Sequence, residues 1–331
     1  MISYKIFNRL QGKDRMENVV ITGGAGFIGS HLAAGLVSRG KRVRVLDNFS
    51  SGNRENVQKF LSQIELLEGD VRNQGDCDKA VTGCDAVFHL SAIPSVPRSI
   101  SEPLLTHEVN LTGTLNLLTA AKNAGVKRFV LASSSAIYGD SEVLPKTEDM
   151  LPKPLSPYAL HKLGSEFYLQ LFHRLFGIET VSLRFFNVFG PQQDPKSEYA
   201  AVIPKFITLM LEGKHPTIFG DGRQTRDFTY VSDVVQGLML AGEKPEAVGR
   251  VLNVACGIKF NLLTLVSVLN GVLGTSLQPK FTPPHPGEVK DSQADISGAT
   301  KCLGFVPEVS FKDGLAKTVE WYKEKMKAVK R

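Results

Sequence analysis

The sequence contains few of the residues that build disulfide frameworks and metal centres. Its 331 residues include four cysteines, Cys77, Cys84, Cys256 and Cys302, which form no CxxC pair and no cluster with histidine. This pattern excludes a disulfide scaffold and a structural zinc site, and it predicts no bound metal. Because isolated thiols are typical of a reducing compartment, we expect a cytoplasmic location.

Long apolar runs are also missing. No segment approaches the roughly 20 consecutive apolar residues that span a bilayer. Residues 1–16 have neither the apolar centre nor the small-residue cleavage site of a signal peptide. We therefore predict a soluble protein with no membrane partner, in which residues 1–16 form an N-terminal extension.

The sequence lacks a basic stripe, although its net charge is +6. Lysine and arginine are scattered, without the aromatic interleaving that is typical of nucleic-acid-binding surfaces. We expect no nucleic-acid partner. A mildly positive surface is compatible with an anionic cofactor and an anionic small-molecule substrate.

The apolar residues that are present, 42% of the chain, alternate between strand-like and helix-like patterns. This alternation predicts an α/β fold with a doubly wound parallel (Rossmann) sheet. The predicted strands are 19–22, 42–46, 64–67, 86–90, 129–132 and 180–185, with 251–255 re-entering the sheet. We assign residues 17–186 and 228–256 to a dinucleotide-binding domain. Residues 187–227 and 257–325 are assigned to a smaller mixed α/β substrate lobe.

A glycine-rich turn follows the first predicted strand. Gly23 allows a tight turn, Gly26 lets the backbone approach a phosphate, and Gly29 allows close packing of helix on strand. About 20 residues further on, the second strand ends at Asp47, where a carboxylate can bind the adenosine ribose hydroxyls. The carboxylate favours NAD over NADP, although the cation of Arg54 leaves the alternative open.

Tyr158 and Lys162 stand four residues apart, behind the helix-starting pair Ser156-Pro157. On a helix they share one face, so a fixed ammonium can lower the pKa of the phenol and make it a base near neutral pH. The alternative is that neither side chain is catalytic, with the Tyr158 ring packed on the helix and the Lys162 ammonium exposed to solvent. A serine cluster at 133–135 ends an upstream strand and gives the catalytic interpretation its context.

These motifs together resemble the extended short-chain dehydrogenase/reductase family, and within it the NAD-dependent sugar-nucleotide epimerases. The matching segments are TGGAGFIG at 22–29, HLSA at 89–92, SSSAIYG at 133–139, LRFFNVFG at 183–190, TRDF at 225–228 and PGE at 286–288. The resemblance implies a set of cofactor-binding residues: Gly23, Gly26, Phe27, Ile28, Gly29, Asp47, Asn48, Asp70, Val71, Leu90, Ala92, Asn110, Tyr158, Lys162 and Phe186. For Leu90 and Phe186, simple core packing is the alternative.

The resemblance also implies a reaction. Tyr158 would take the proton of a sugar C4 hydroxyl while C4 gives hydride to NAD, and return of the hydride to the other face would give the C4 epimer. Ser134, or alternatively Ser135, would polarise the oxygen. Related dehydratases and decarboxylases carry a carboxylate at or beside the position of Ala136, so the alanine favours epimerisation.

The substrate expected from the resemblance is a UDP-sugar. Arg226 would bind its diphosphate, unless it pairs with Asp221 or Asp227, and Ser292 would leave room for an N-acetyl group. The predicted substrate-binding residues are Ser95, Ser134, Ser135, Tyr158, Asn187, Val202, Pro204, Thr217, Phe219, Arg226, His285, Glu288 and Ser292. His285 stands where the family has a second arginine, which weakens the diphosphate assignment there.

Three alternatives to an epimerase are compatible with the sequence. They are a UDP-sugar decarboxylase or dehydratase, a reductase that consumes external NADH, and a non-catalytic dinucleotide-binding sensor. The resemblance further implies a homodimer that pairs through two long helices, predicted at 103–124 and 157–176.

Overall fold

The predicted strands form a seven-stranded parallel sheet in this computed structural model, which describes residues 16–195, 201–283 and 290–329. The sheet order is β3-β2-β1-β4-β5-β6-β11, so the doubly wound prediction is confirmed. The strands of the sheet are β1 (Asn18–Thr22), β2 (Arg42–Asp47), β3 (Ile64–Glu68), β4 (Ala86–His89), β5 (Arg128–Ser134), β6 (Glu179–Phe185) and β11 (Val251–Val254). Residues 251–255 therefore re-enter the sheet, beside β6, as predicted.

Helices cover both faces of the sheet. The α-helices of the described residues are α1 (Phe27–Ser38), α2 (Gln74–Val81), α3 (Val96–Ser101), α4 (Pro103–His107), α5 (Gly113–Asn123), α6 (Pro157–Phe176), α7 (Val202–Leu211), α8 (Val231–Glu243), α9 (Leu262–Leu273), α10 (Ser297–Leu303) and α11 (Phe311–Val329). The helix predicted at 103–124 is α4 and α5 joined by a π-helical turn, Glu108–Thr112. Within the described ranges, no helix combines the length and the apolarity needed to cross a membrane.

Alternation along β1, an interior strand of the sheet, fills two cores. On β1, Val19 and Ile21 are fully buried in one cluster, while Val20 is fully buried in the cluster on the other face. The first cluster includes residues of α1, α8 and α10, and the second includes residues of α2, α5 and α6. Because the seven strands are parallel, their carboxyl ends lie at one edge of the sheet, where the segments after β1, β2 and β5 meet.

Short strands and the remaining helices surround a third core. The short strands are β7 (Val188–Phe189), β8 (Thr217–Phe219), β9 (Thr225–Asp227), β10 (Thr229–Tyr230), β12 (Lys259–Asn261) and β13 (Lys280–Thr282), paired as β7-β10, β9-β12 and β8-β13. Phe206, Ile218, Leu265 and Leu315 are buried in this core. A separate core supports a second lobe, while the domain boundaries given above stay a prediction.

Candidate active site

The glycine turn between β1 and α1 leaves no room for side chains. Gly23 has φ +70°, and a Cβ on Gly29 would lie 2.2 Å from the carbonyl oxygen of Gly23. Gly24, which sequence analysis did not single out, packs so closely on Val45 that a Cβ would lie 2.7 Å from it. No side chain caps the N-terminus of α1 at Gly26, so the first N–H groups of the helix remain for an anionic ligand. The turn fits the pyrophosphate of a dinucleotide.

Asp47 fastens the glycine turn to the end of β2. Its carboxylate accepts hydrogen bonds from the backbone N–H groups of Ala25 and Phe49, both at 2.9 Å. Asp47 is buried, and burial raises its pKa while the two N–H donors lower it. Each carboxylate oxygen can accept more than one hydrogen bond, so the group retains capacity for a ribose hydroxyl. Asp47 therefore also has a structural role that sequence analysis did not assign.

Acidic side chains surround the position predicted for the adenosine of the cofactor. Asp70 accepts from Asn48 Nδ2 at 2.8 Å and pairs with Arg72 at 2.7 Å, and the guanidinium lowers the pKa of Asp70 to about 2. Arg54, whose cation left NADP open, forms an ion pair with Glu68. Because its charge is balanced, the arrangement favours a cofactor without a 2′-phosphate.

Asn110 lies in the π-helical turn and positions the segment after β4. Its side-chain amide brackets Ile93, accepting from the backbone N–H at 2.8 Å and donating to the carbonyl at 3.2 Å. Ala92 and Leu90 are half-buried in the same segment. π-Helical turns are frequent at functional sites, because they redirect side chains away from the regular ladder. Asn110 thus fixes the segment expected to line the dinucleotide channel.

A buried histidine behind this segment was not identified as a site residue from the sequence. The ring of His89 bridges Thr22 Oγ1, 2.7 Å from Nδ1, and Thr114 Oγ1, 2.9 Å from Nε2. Burial and the nearby charge of Lys162 lower the pKa of His89 to about 3, so the ring is neutral at physiological pH. His89 joins the ends of β1 and β4 to α5. Its place in the HLSA motif was the available signal.

Tyr158, Lys162 and Ser134 lie close together. Ser156 caps α6 by accepting from the N–H of Ala159 at 3.2 Å, which places Tyr158 at the second helical position. Lys162 Nζ lies 6.0 Å from the centroid of the Tyr158 ring and donates to the carbonyl of Ala132 at 2.7 Å. Ser134 hydrogen-bonds the Tyr158 phenol, which lowers the pKa of the phenol.

The net pKa shift of the phenol differs from the prediction. Burial raises the pKa of Tyr158 above its usual value and outweighs the contribution of Ser134. Burial also lowers the pKa of Lys162, to about 8. Removing water destabilises both charged forms, an effect that the sequence spacing does not reveal. Without a cofactor, the phenol of Tyr158 is therefore protonated at neutral pH. The lowering of its pKa that was expected from Lys162 is absent.

Helix α3 contacts the start of α6. Ser99, which is fully buried, accepts a hydrogen bond from the backbone N–H of Tyr158 at 3.1 Å. Ser95, a predicted substrate contact, caps α3 by accepting from the N–H of Arg98 at 3.1 Å. Sequence analysis did not assign Ser99 a role, since this contact joins residues that are 59 positions apart.

On the substrate side, the structure brings Arg226 and Ser292 to one place. Arg226 Nη1 donates to the carbonyls of Thr225, at 2.9 Å, and Lys290, at 3.1 Å, and the Ser292 N–H donates to the same Thr225 carbonyl at 3.1 Å. Asp227, offered as an alternative partner of Arg226, is fully buried.

Asp227 joins three segments. Its carboxylate accepts from the backbone N–H groups of Cys256, Gly257 and Ala294 at 3.0–3.1 Å. Burial nevertheless raises the pKa of Asp227 to about 6. Asn187, at φ +33°, donates through Nδ2 to the carbonyl of Asp227 at 3.2 Å. Asp227 therefore holds the predicted sugar-binding segments against the end of β11.

The remaining predicted contacts differ in how accessible they are. Val202 and Pro204 lie in the first turn of α7, and Thr217 and Phe219 lie on β8, where Phe219 is exposed. Ser135 begins a 3₁₀ turn, Ser135–Tyr138, in which Ser134 accepts from the N–H of Ala136. His285 and Glu288 lie outside the described residues.

Phe186 and Val71 are packed rather than open. Phe186 has no exposed surface and packs with Tyr138, Ala255 and Ala294, which favours the packing interpretation over a cofactor contact. Val71 is buried in the core on the α5 side of the sheet. Among residues 16–195, 201–283 and 290–329, no group of three or more potential ligands could hold a metal ion.

Comparison with known proteins identifies the family of this chain. The model of the NAD dependent epimerase/dehydratase family matches residues 19–255. A UDP-glucose 4-epimerase of Mycolicibacterium smegmatis is 37% identical over 315 residues, covering 92% of this chain and 98% of the relative.

Two solved structures are similar throughout. One is a UDP-N-acetylglucosamine 4-epimerase from Methanobrevibacter ruminantium in complex with UDP-N-acetylmuramic acid, with TM-score 0.90 and 40% identity, covering 94% of this chain and 99% of that one. The other is a UDP-glucuronic acid 4-epimerase from Bacillus cereus with UDP-glucuronic acid and NAD, with TM-score 0.87 and 36% identity, covering 93% and 99%.

Proposed function

The chain belongs to the NAD dependent epimerase/dehydratase family, and from this premise we propose that it interconverts the C4 epimers of a UDP-hexose through a 4-keto sugar, with NAD held throughout. It is an NAD-dependent UDP-sugar 4-epimerase, an isomerase, in the terms of the proteins it matches along nearly all of its length. The observation that carries the proposal is the convergence of Ser134, Tyr158 and Lys162 at the strand edge that carries the uncapped glycine turn.

The side chains divide the proton chemistry. Tyr158 accepts the proton of the C4 hydroxyl and later returns it, while the Ser134 hydroxyl stabilises the developing charge on the same oxygen. Lys162, fixed on the carbonyl of Ala132, stabilises the phenolate. When bound, NAD supplies the hydride acceptor and a positive charge, which opposes the raised pKa of Tyr158. The glycine turn would hold the diphosphate of NAD, and Asp47 would hold its adenosine ribose.

The chemistry at Ala136 supports epimerisation over elimination. The 3₁₀ turn that begins at Ser135 presents serine, alanine and isoleucine in its first three positions, without a carboxylate. Elimination from C5 and C6 needs a base to remove the C5 proton. A decarboxylase or dehydratase is therefore the second candidate, and it differs from an epimerase in releasing a product of lower mass.

We infer that N-acetylated sugars are favoured or shared with UDP-glucose and UDP-galactose. Ser292 is buried and small, and its backbone is fixed beside Arg226. A small side chain at this position leaves space for an acetamido group. Because similar proteins include epimerases of UDP-glucose, UDP-N-acetylglucosamine and UDP-glucuronic acid, the substrate range has to be measured across these classes.

The test is incubation of the purified protein with each UDP-sugar, without added nucleotide, followed by separation of the epimers. UDP-glucose, UDP-galactose, their N-acetylated counterparts and UDP-glucuronic acid are compared. Interconversion at constant mass supports the proposal, and a product of lower mass would indicate the decarboxylase or dehydratase instead. Steady consumption of added NADH would indicate a reductase, and binding without turnover would indicate a sensor.

We further propose a homodimer. Leu160, Phe167, Leu171 and Leu175 lie at seven- and four-residue intervals on α6, on the face opposite Tyr158 and Lys162, and all are exposed. Leu104 of α4 is also largely exposed. A second copy that presents the same helices would cover this apolar face. We also propose a cytoplasmic location, because isolated cysteines are typical of a reducing compartment.

A further inference from the structure

A buried carboxylate lies one helical turn beyond Lys162. Glu166 accepts a hydrogen bond from Ser133 Oγ at 2.5 Å and two more from Arg184, from Nε at 3.0 Å and Nη2 at 2.8 Å. The side chains of Glu166 and Arg184 are 2% and 4% exposed. Ser133 and Arg184 are register partners on β5 and β6. The carboxylate therefore joins α6 to two strands at the edge that carries Ser134.

The arginine is itself fixed on its far side. Its guanidinium lies 4.8 Å from the centroid of the Tyr138 ring, and the Tyr138 hydroxyl donates to Asn253 Oδ1 at 2.7 Å. Asn253 Nδ2 donates in turn to the carbonyl of Lys146 at 2.9 Å. A chain of buried polar groups thus runs from the catalytic helix to β11. Hydrogen bonds in such a buried network are strengthened by the low local dielectric, although Arg184 Nη1 has no hydrogen-bond partner within the described residues.

The same carboxylate acts on the charge of Lys162. The ammonium is buried and donates to a neutral carbonyl, and burial lowers its pKa to about 8, while the negative charge of Glu166 opposes that change. The other titratable groups near it are neutral: His89 and His161 have pKa values lowered to about 3 and about 4, and burial raises that of Tyr158. Glu166 is therefore the charge that opposes the change in Lys162, and Arg184 is bound to Glu166.

We propose, resting on the function above, that Glu166 is a positioning residue of the reaction, whose buried carboxylate supplies the charge that balances Lys162 and fixes the strand end that carries Ser134. Arg184 restrains this carboxylate and shares its charge. The pair therefore does more than join secondary-structure elements. Changing either partner alters the electrostatic field at Lys162, in opposite directions.

The two directions define the experiment. Glu166→Gln keeps the size and an acceptor oxygen but removes the negative charge, so the titration midpoint of Lys162 should fall by about one pH unit. Arg184→Met removes the positive charge, so the midpoint should rise. The midpoint is followed by NMR of the lysine 13Cε in the protein as purified, with the resonance assigned from Lys162→Arg. Glu179→Gln, which breaks the Arg128–Glu179 ion pair, is the matched control.

Turnover gives the second measurement. With a midpoint lowered from about 8 to about 7, the charged fraction of Lys162 at pH 8 falls from half to about a tenth, so Glu166→Gln should lose about fivefold in kcat at pH 8 and little at pH 6. Arg184→Met should retain or extend its alkaline range. If Glu166→Gln does not fold, the upward shift in Arg184→Met decides alone.

Unchanged midpoints in both variants, with equal losses of thermal stability, would overturn the inference, because the pair would then have only a structural role. The NMR measurement does not depend on turnover. Opposite shifts in a protein that epimerises no UDP-sugar would therefore reject the proposed function and keep the coupling. If the protein is active but its variants keep the parent's pH profile, the proposed function stands and the coupling between Glu166 and Lys162 is rejected.

Discussion

The hydroxyl of Ser99 accepts a hydrogen bond from the backbone N–H of Tyr158 across 3.1 Å. The first N–H groups of a helix have no partner within the helix, so an external acceptor can fix where the helix begins. Here the acceptor comes from α3, and Ser99 Oγ is oriented by its own bond to the carbonyl of Val96 at 2.6 Å. A short helix thereby determines the position of the proposed base.

Ser99→Ala should lower kcat by about tenfold, because a half-buried N–H loses its acceptor and the start of α6 loses a fixed position. Steady-state rates at saturating UDP-sugar measure this. Ser101→Ala, which removes an exposed hydroxyl from the same helix, serves as the control and should leave kcat unchanged. Full activity in Ser99→Ala would show that the contact does not position Tyr158.

Tyr158→Phe should reduce kcat by about 10² to 10⁴-fold, since it removes the group that exchanges the C4 proton. Its unfolding temperature should change little, because the ring is kept and the phenol is protonated near neutral pH in both the folded and the unfolded protein. Tyr168→Phe on the same helix is the control. Turnover at the parental rate by a Tyr158→Phe protein that retains NAD would refute the assignment.

Lys162→Met should raise the free energy of unfolding at pH 7 by about 3 kcal/mol. The folded-state pKa of about 8 lies below the ordinary value of 10.5. Between these values the unfolded chain holds more protons, so parental stability rises with pH and the advantage of the variant shrinks towards pH 10. Urea unfolding at both pH values measures this. The exposed Lys122→Met is the control, and an equal or larger advantage at pH 10 would contradict the prediction.

The strands and the placement of Tyr158 and Lys162 on one helix face were predictable because their signals are local. Apolar runs mark β1 to β6, and Tyr158 and Lys162 share a face because any two residues four positions apart on a helix do so. Ser99 and Glu166 carry no such signal, because their partners are distant in the chain or are backbone groups that every residue has. The raised pKa of Tyr158 depends on how much water the finished fold excludes. A pattern of residue types does not encode that quantity.

Ser292→Tyr should lower kcat/KM for the N-acetylated sugars by at least about tenfold, while UDP-glucose and UDP-galactose change much less. The larger side chain would fill the space beside Arg226, where the acetamido group is expected. Competition between the four sugars in one reaction gives the ratio directly. Ser276→Tyr, at an exposed position, should leave the ratio unchanged. Equal losses for all four sugars would count against the gate.

Leu171→Arg combined with Leu175→Arg should halve the mass of the particle in solution, because two charges would be placed in the apolar face of α6. Light scattering after size-exclusion chromatography measures the mass. Val306→Arg, which changes an exposed apolar residue outside α6, is the control and should leave a dimer. A monomeric parent protein would remove the basis for the proposed interface.

The two hydrogen bonds of Asp47 also bear on how coenzyme preference could evolve or be engineered. One carboxylate oxygen holds the turn that faces the phosphates, and the other holds the loop that follows β2. A smaller side chain without an acceptor loses both hydrogen bonds, and asparagine, with one acceptor oxygen, keeps at most one of them. A replacement that makes room beside the ribose therefore also loosens the glycine turn, so a change from one nicotinamide coenzyme to the other is expected to need compensating replacements in that turn.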